Sequence, residues 1–230
     1  MSERNVGVVI VAAGAGTRVG GGELKQFRWI AGKPMLLHSL QTFMAHPRVV
    51  AVVAVLPQRY AGDPPPWIFQ CDVDRLLVSV GGRTRTESVS NGLDDLADEA
   101  QVVLIHDAAR PFVDLETIDR VIASVDAGHA TIAALPVVDT LKDVGPDMGV
   151  IATVDRTRLW RAQTPQGFPR EMIVQVHREA RERKLQATDD AALCEGLGIP
   201  VTVVRGEERA MKVTDDADFA RAEAMFPLHP

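Results

Sequence analysis

A glycine-rich segment that carries two cations follows the first apolar run of the chain. Residues 12–16 read Ala-Ala-Gly-Ala-Gly, and Arg18 and Lys25 come shortly after them. Because glycine has no Cβ, backbone N–H groups can turn toward a bound anion, and fixed positive charges strengthen that binding. A plain flexible loop would account for the glycines but not for the two cations, so the segment predicts a phosphate-binding loop.

Two familiar phosphate loops do not fit this segment. A dinucleotide-binding loop needs the spacing G-x-G-x-x-G, and Val19 stands where the third glycine belongs. A P-loop needs Gly-Lys followed by Ser or Thr, whereas Gly32-Lys33 is followed by Pro34. What remains is a long glycine-rich loop with an arginine and a lysine seven positions apart.

Further polar residues follow predicted strands and helix starts. His106-Asp107 ends an apolar run, and ligands of open α/β sheets bind beyond the carboxyl ends of strands, so Asp107 is placed to meet a metal, a ribose or an acceptor hydroxyl. The pair Thr84 and Glu87 predicts a helix capping box. Thr188 and Thr214 each precede two acidic residues, which is typical of helix N-caps.

Short motifs occur in one order from residue 6 to about residue 220. They are Ala12-Ala13-Gly14-x-Gly16-x-Arg18, Lys25-Gln26, Gly32-Lys33-Pro34, Gly81-Gly82, Thr86-Glu87-Ser88-Val89, His106-Asp107-Ala108-Ala109-Arg110-Pro111, Asp139-Thr140, Thr164-Pro165-Gln166, Thr188-Asp189 and Lys212-Val213-Thr214. Together they resemble the family of 2-C-methyl-D-erythritol 4-phosphate cytidylyltransferases of the non-mevalonate isoprenoid pathway. Many nucleotidyltransferases share the first loop, whereas the block at residues 106–111 is far more specific.

The resemblance implies transfer of CMP from CTP to 2-C-methyl-D-erythritol 4-phosphate, which yields 4-diphosphocytidyl-2-C-methyl-D-erythritol and pyrophosphate in a Mg²⁺-dependent homodimer. The residues implied as catalytic are Arg18, Lys25 and Lys212. Those implied in CTP binding are Ala12, Ala13, Gly14, Gly16, Gly82, Ser88 and Asp107. Those implied in acceptor binding are Asp107, Arg110, Thr140, Arg156, Thr164, Thr188 and Lys212. Mg²⁺ is expected to bind mainly through phosphates, with Asp107 as a candidate ligand.

The implied reaction presents a problem of charge rather than of proton transfer. A phosphate monoester has a second pKa of about 6, so the attacking group is already mostly dianionic at neutral pH and needs no general base. The dianion must nevertheless approach a polyphosphate. Catalysis is therefore expected to come from positioning and from cations. Taken alone, Lys212 would pass for a solvated lysine, and an arginine such as Arg156 for a partner of Asp155.

A few positions depart from the family pattern. Val11 and Leu24 stand where prolines are common, and the loop has three further glycines at residues 20–22. Arg83 stands where an acidic residue is often found, so a side-chain contact to the base at that position is in doubt. Backbone groups could then select the base.

The elements that must position these residues alternate between strands and helices. Apolar runs predict strands, and a period of 3.6 residues predicts helices between them. The expected strands cover residues 6–13, 49–56, 76–80, 102–105, 131–138 and 201–204. Helices are expected after Pro34 and over residues 87–96, 115–125, 170–184, 189–197 and 216–225. Continuously apolar strands indicate an α/β fold with a doubly wound, mostly parallel sheet.

Residues 139–163 break this alternation. They lack a helical period and contain Gly145, Pro146 and Gly149 between two short β-type runs. The pattern predicts a protruding β-hairpin arm. By the resemblance, this arm forms the dimer interface and donates Thr140 and Arg156 to the partner's acceptor site.

Composition limits the class of protein. The 230 residues are 46% hydrophobic and 24% charged, as in one globular domain over residues 1–230 with no room for a second enzyme. A net charge of −6 argues against a nucleic-acid partner, and no apolar run is long enough for a membrane span. Cys71 and Cys194 are far apart and predict reduced thiols in a cytoplasmic protein. The six histidines show no spacing typical of a zinc site.

Three alternatives remain open at this point. The acceptor could be another polyol phosphate, such as ribitol 5-phosphate. The chain could also be a catalytically silent nucleotide-binding module, although Arg18, Lys25 and Lys212 argue against it. A Rossmann oxidoreductase is disfavoured by the missing third glycine.

Overall fold

The computed structural model describes residues 5–14 and 24–225. The strands, in chain order, are β1 (Asn5–Val11), β2 (Trp29–Ile30), β3 (Lys33–Pro34), β4 (Val49–Leu56), β5 (Leu76–Val80), β6 (Ala100–Asp107), β7 (Ala130–Pro136), β8 (Leu141–Val144), β9 (Val150–Val154), β10 (Trp160–Pro169) and β11 (Val201–Arg205). The α-helices are α1 (Met35–Ala45), α2 (Gln58–Ala61), α3 (Arg85–Asp95), α4 (Leu115–Asp126), α5 (Arg170–Arg183), α6 (Asp190–Gly196) and α7 (Asp216–Met225). Short 3₁₀ helices lie at Lys25–Phe27 and Pro66–Gln70.

The main sheet confirms the predicted architecture. Over the described residues it has seven strands in the order β11-β7-β10-β6-β1-β4-β5. β10 runs antiparallel to β6 and β7, and the remaining neighbours are parallel. β4 reads Val-Val-Ala-Val-Val-Ala-Val-Leu and is almost wholly buried, because helices cover both faces of a parallel sheet.

Two hydrophobic cores lie on opposite faces of this sheet. Successive side chains of β1 pack into opposite cores: Val8 and Ile10 lie in one, and Val9 lies in the other. Helices α1 and α4 cover the first core, and α3, α5 and α6 cover the second. In the described ranges, no helix has the length and apolar character needed to cross a membrane.

Strand β10 was not predicted. Its residues Gln163, Thr164 and Gln166 are polar and Pro165 interrupts the run, so the segment lacks the apolar pattern of a central strand. The polar side chains are nevertheless buried. Each of them hydrogen-bonds to neighbouring backbone or side-chain groups, which makes burial of polar atoms acceptable.

The predicted arm is present as a β-hairpin, but it is shorter than expected. Strands β8 and β9 pair antiparallel outside the main sheet, and every side chain on them is exposed. We expected the arm to extend to residue 163. Strand β10 already lies in the main sheet from Trp160, where it pairs with Pro136 of β7.

A third, smaller core joins the C-terminal helix to the start of α1. Strands β2 and β3 form a two-stranded ribbon whose turn is Ala31-Gly32, both with positive φ. Helix α7 packs against this ribbon. The buried members of this core are Ile30, Met35, Val213, Phe219 and Ala222.

Candidate active site

A cavity of about 860 Å³ lies at the carboxyl edge of the sheet, beyond the ends of β1 and β6. This edge is where open α/β sheets bind ligands. Eight of the predicted site residues line it: Ala12, Ala13, Gly14, Lys25, Gly82, Ser88, Asp107 and Lys212. The fold therefore brings the first loop, the segment after β5, the end of β6 and the segment before α7 to one place.

Seven predicted residues are not among those that line the cavity in the described part of the chain. Gly16 and Arg18 fall outside the described residues. Five others do not line the cavity within the described part of the chain: Arg110, Thr140, Arg156, Thr164 and Thr188.

The end of the first loop is fixed by Gln26. Its buried side-chain amide donates hydrogen bonds to the carbonyl oxygens of Ala12 at 2.6 Å and Gly14 at 3.2 Å. The neighbouring Lys25 donates from Nζ to the carbonyl oxygen of Val213 at 2.9 Å. Two consecutive residues thus hold the loop after β1 and reach the segment before α7.

Asp107 forms the acidic centre of the cavity wall. One carboxylate oxygen lies 2.7 Å from Nζ of Lys212 and the other lies 3.2 Å from Nε of Arg85. Burial alone would raise the pKa of Asp107, but Arg85 and Lys212 hold it well below its ordinary value. Asp107 is therefore an anion, and it orients two cations at the cavity.

Arg85 is the functional residue that the sequence analysis missed. It lies in the first turn of α3, lines the cavity, and bridges Asp107 to Asp190 at 2.8 Å. The helix macrodipole disfavours a cation at a helix N-terminus. That unfavourable placement is the signal in the sequence that could have drawn attention to Arg85.

A buried carboxylate supports Arg85 from behind. Asp190 is fully buried and also contacts His177, whose Nε2 lies 3.0 Å from the carboxylate. Burial would raise the pKa of Asp190, but Arg85 and His177 outweigh it and keep the pKa below its ordinary value. A chain of side-chain contacts therefore runs from His177 through Asp190 and Arg85 to Asp107.

The loop after β5 is built around Ser88. The Ser88 hydroxyl accepts a hydrogen bond from the Gly82 N–H at 3.0 Å and donates one to the Thr84 carbonyl at 2.8 Å. Thr84 caps α3 as predicted. The Glu87 carboxylate accepts from the Arg83 N–H at 2.8 Å, and hydrogen bonds from the backbone of Arg83 and of Thr84 lower its pKa, as in the predicted capping box. Arg83 pairs with Glu87, and its side chain is exposed.

Thr164 lies beneath the cavity wall rather than in it. Its buried hydroxyl accepts from the Asp107 N–H at 3.1 Å and meets Nδ1 of His106 at 3.0 Å. Burial lowers the pKa of His106 to about 4, so the ring is neutral at physiological pH. Its Nε2–H donates to the Arg110 carbonyl, which leaves Nδ1 to accept the Thr164 proton. The Thr164 hydroxyl thus supports Asp107, and its contact with the acceptor stays a prediction.

Arg110 connects two segments of the chain near the cavity. Its guanidinium donates to the carbonyl oxygens of Ala210 at 2.8 Å and Ala162 at 3.1 Å. Burial lowers the pKa of Arg110, and the nearby Asp107 partly offsets that effect. The contacts tie β10 to the segment that leads to Lys212.

Two predicted helix caps are off by one residue. Asp189, not Thr188, caps α6 by accepting from the Ala192 N–H at 2.9 Å. Asp215, not Thr214, accepts from the Asp218 N–H at the start of α7. In both Thr-Asp-Asp sequences the first aspartate, rather than the threonine, is the N-cap residue.

On the arm, Thr140 and Arg156 are both exposed. Arg156 donates a hydrogen bond to the Val138 carbonyl. The Asp155 carboxylate accepts instead from the backbone and hydroxyl of Thr157, at 2.9 and 2.6 Å. The alternative interpretation, in which Arg156 only pairs with Asp155, is therefore not supported by the contacts of the described residues.

Comparison with known proteins gives the family. The model of 2-C-methyl-D-erythritol 4-phosphate cytidylyltransferase matches residues 6–227. The enzyme of that name from Streptomyces coelicolor is 41% identical, over 98% of this chain and 86% of its own length. The crystal structure of the Thermus thermophilus enzyme of that name superposes with a TM-score of 0.81 at 34% identity, covering 96% of this chain and 98% of that one.

A bifunctional relative is longer. The bifunctional enzyme IspD/IspF of Rhodopseudomonas palustris (strain BisA53) is 41% identical over 97% of this chain, which spans only 56% of that protein's length. The chain belongs to the 2-C-methyl-D-erythritol 4-phosphate cytidylyltransferase family.

Proposed function

We propose that this protein transfers the cytidylyl group of CTP to the phosphate of 2-C-methyl-D-erythritol 4-phosphate. An oxygen of the acceptor phosphate forms a bond to the α-phosphorus of CTP, and the bond from that phosphorus to the bridging β-phosphate oxygen breaks. The products are 4-diphosphocytidyl-2-C-methyl-D-erythritol and pyrophosphate. The observation that carries the proposal is the meeting of Lys25, Arg85 and Lys212 at one cavity, where Arg85 and Lys212 both pair with Asp107.

The cations act on charge. Lys25 and Lys212, with Arg18 from the first loop, neutralise the triphosphate and the charge that develops at the α-phosphorus. The acceptor phosphate is already a dianion at neutral pH. Among the residues that line the cavity, none has to remove a proton for the reaction to proceed.

The cytidine half of the site is made mainly of backbone. In this proposal Ala13 and Gly14, together with Gly16 of the same loop, donate N–H groups to the phosphates. Ala12 lines the cavity beside them, and its own N–H donates to the Val55 carbonyl at 2.9 Å. Gly82 approaches the base, and Ser88 fixes the Gly82 N–H in place. Arg83 faces solvent and pairs with Glu87, which supports base selection by backbone groups.

The donor set fits Mg²⁺ held mostly by substrate. Asp107 is the carboxylate that lines the cavity, and over the described residues no three His, Cys, Asp or Glu side chains could jointly hold an ion. Mg²⁺ commonly binds one or two carboxylates and substrate phosphates, so Asp107 and the triphosphate would suffice. When bound, the ion supplies positive charge to the phosphate oxygens.

We assign the acceptor to Asp107, Arg110, Lys212 and Thr188, and to Thr140 and Arg156 of a second copy of the chain. The arm supports a homodimer because several large apolar side chains on it are exposed. Met148, Val150 and Ile151 are each more than 60% accessible, as is Val138 just before the arm. Clustered exposed apolar residues mark interaction sites, and arginine is suited to gripping a phosphate.

The unpaired cysteines support a cytoplasmic location. Cys71 and Cys194 are both free thiols, and burial raises the pKa of Cys71 to about 11 and that of Cys194 to about 12. Thiols of this kind are unreactive and fit a reducing compartment.

The test is release of pyrophosphate across a grid of four nucleoside triphosphates and two acceptors. We expect turnover with CTP and 2-C-methyl-D-erythritol 4-phosphate, and little with UTP, ATP or GTP. Activity with ribitol 5-phosphate alone would show that the acceptor is not 2-C-methyl-D-erythritol 4-phosphate. CTP binding without pyrophosphate from either acceptor would indicate a silent binding module.

A further inference from the structure

The two described lysines that we assign to catalysis are tied to each other through the backbone. Nζ of Lys25 donates to the carbonyl oxygen of Val213, the residue next to Lys212, across 188 positions of sequence. The Val213 N–H donates in turn to the Ala109 carbonyl at 2.8 Å, in the loop after β6. The position of Lys25 and that of Lys212 therefore depend on the same short segment.

A second set of contacts joins Arg28, which follows the first loop, to helix α7, which follows Lys212 and Val213. Nη1 of Arg28 lies 2.7 Å from the Asp216 carboxylate, and its guanidinium lies 3.8 Å from the centre of the Phe219 ring. Stacking on an aromatic face and pairing with a carboxylate both suit the planar guanidinium. Arg28 thus grips the first turn of α7 from two sides.

The turn of the β2–β3 ribbon is held by the same helix. Ala31 has φ of 51°, a left-handed conformation that is unfavourable for a residue with a Cβ. Its N–H donates to the Glu223 carboxylate on α7 at 2.9 Å. Helix α7 therefore fixes both the ribbon and, through Arg28, the chain just before it.

Arg28 is close to Lys25 in the backbone as well as in space. The 3₁₀ turn Lys25–Phe27 ends at Arg28, whose N–H donates to the Lys25 carbonyl at 3.2 Å. The Arg28 carbonyl accepts from the Met35 N–H at the start of α1. A shift of Arg28 would move Lys25 directly, and a shift of α7 would move Lys212.

We propose that Arg28 is a positioning residue that holds Lys25 and Lys212 at a fixed separation by clamping α7 to the segment after the first loop. The inference rests on the proposed function, because it assigns both lysines to the phosphates of CTP. Arg28 itself does not line the cavity within the described residues, so its effect must pass through the lysines.

The experiment is a double-mutant cycle on kcat for pyrophosphate release. Displacing reacting groups by about 1 Å can lower a rate by roughly a hundredfold, so we expect Arg28→Ala to lower kcat by about 10- to 100-fold. In the Lys25→Ala background the same change should have a clearly smaller effect than in the wild type, because only Lys212 is left for Arg28 to position. Arg28→Lys keeps the charge and should recover part of the rate.

A matched control separates positioning from loss of stability. Arg170 also pairs with a carboxylate, Asp98, and donates to two carbonyls, but it does so near the amino end of β6, away from the cavity. Arg170→Ala should lower the melting temperature at least as much as Arg28→Ala and leave kcat within about twofold. Equal effects of Arg28→Ala with and without Lys25 would overturn the inference.

The same cycle on the dissociation constant of CTP, measured by calorimetry, needs no turnover. If the wild-type chain binds CTP but does not react, the proposed function fails while non-additive binding still supports the clamp. If binding is also additive, or if CTP does not bind, the clamp is rejected.

Discussion

At the residue scale, the charged side chains around the cavity pair with one another. Asp107 contacts Arg85 and Lys212, and Arg85 also contacts the buried Asp190. Each cation is therefore held in a defined place at the cavity. Of the two cations that pair with Asp107, Lys212 has the more accessible side chain. A phosphate ligand would therefore compete with Asp107 for Lys212.

Arg85→Ala tests this arrangement. It leaves the Asp190 carboxylate buried beside His177 without its cation, so we expect a loss of about 3 kcal/mol in the free energy of unfolding and at least a tenfold fall in kcat/KM. Adding Asp190→Ala should recover part of the stability, because it removes the unpaired charge, but not the activity. Urea denaturation and pyrophosphate release measure the two effects, and full recovery of activity would contradict the role of Arg85 at the cavity.

His106 gives a prediction for the dependence of stability on pH. Its pKa is lowered to about 4 by burial, against about 6.5 in an unfolded chain, so the unfolded state binds the proton first. Stability is therefore present above pH 6.5 and is lost as the pH falls from 6.5 to 4, by on the order of 3 kcal/mol. In His106→Gln, urea denaturation should show a flatter profile in that window. An unchanged slope would mean that His106 has the same pKa in the folded and unfolded states.

At the scale of elements, the cavity depends on close packing between two loops. A Cβ on Gly81 would lie 2.1 Å from the Cβ of Ala13, so a larger residue after β5 must push the first loop aside. Gly62 offers a control, because a Cβ there meets nothing within 4 Å.

We expect Gly81→Ala to raise KM for CTP by about tenfold, because the displaced loop no longer presents its N–H groups in place. Gly62→Ala should leave KM within about twofold and the melting temperature little changed. Steady-state kinetics at varied CTP measures both variants. Equal KM values in the two would show that the first loop does not bind the nucleotide.

Local patterns in the sequence predicted the parallel strands and most of the helices. The resemblance of short motifs to the family pointed to residues that line the cavity, such as Lys25, Asp107 and Lys212. Long-range pairs were not accessible in this way. Arg85 and Asp190 are 105 positions apart, and nothing local marks them as partners. Strand β10 escaped prediction because its buried polar residues are satisfied only by contacts with distant segments.

At the scale of the whole molecule, the proposed role of Arg156 makes the site dependent on the arm of a second copy of the chain. Arg156 and Thr140 are exposed and do not line the cavity within the described residues. A twofold assembly that exchanges arms would bring them to the partner's cavity.

Mixing two inactive variants tests this exchange. Lys25→Ala disables the cavity and Arg156→Ala disables the arm, so a mixed dimer contains one site with both residues intact. Random reassociation of equal amounts should restore about a quarter of the wild-type activity. If no activity returns although mass spectrometry shows mixed dimers, the arm serves its own chain. A folded wild-type monomer at assay concentration would also reject the exchange.

The bond between Lys25 and the Val213 carbonyl has a consequence for protein synthesis. The ribosome makes the loop after β1 early, but the segment that completes the cavity is translated almost two hundred residues later. A nascent chain therefore carries the loop for most of its elongation without the second lysine beside it. The active enzyme arises only after that late segment has emerged and docked.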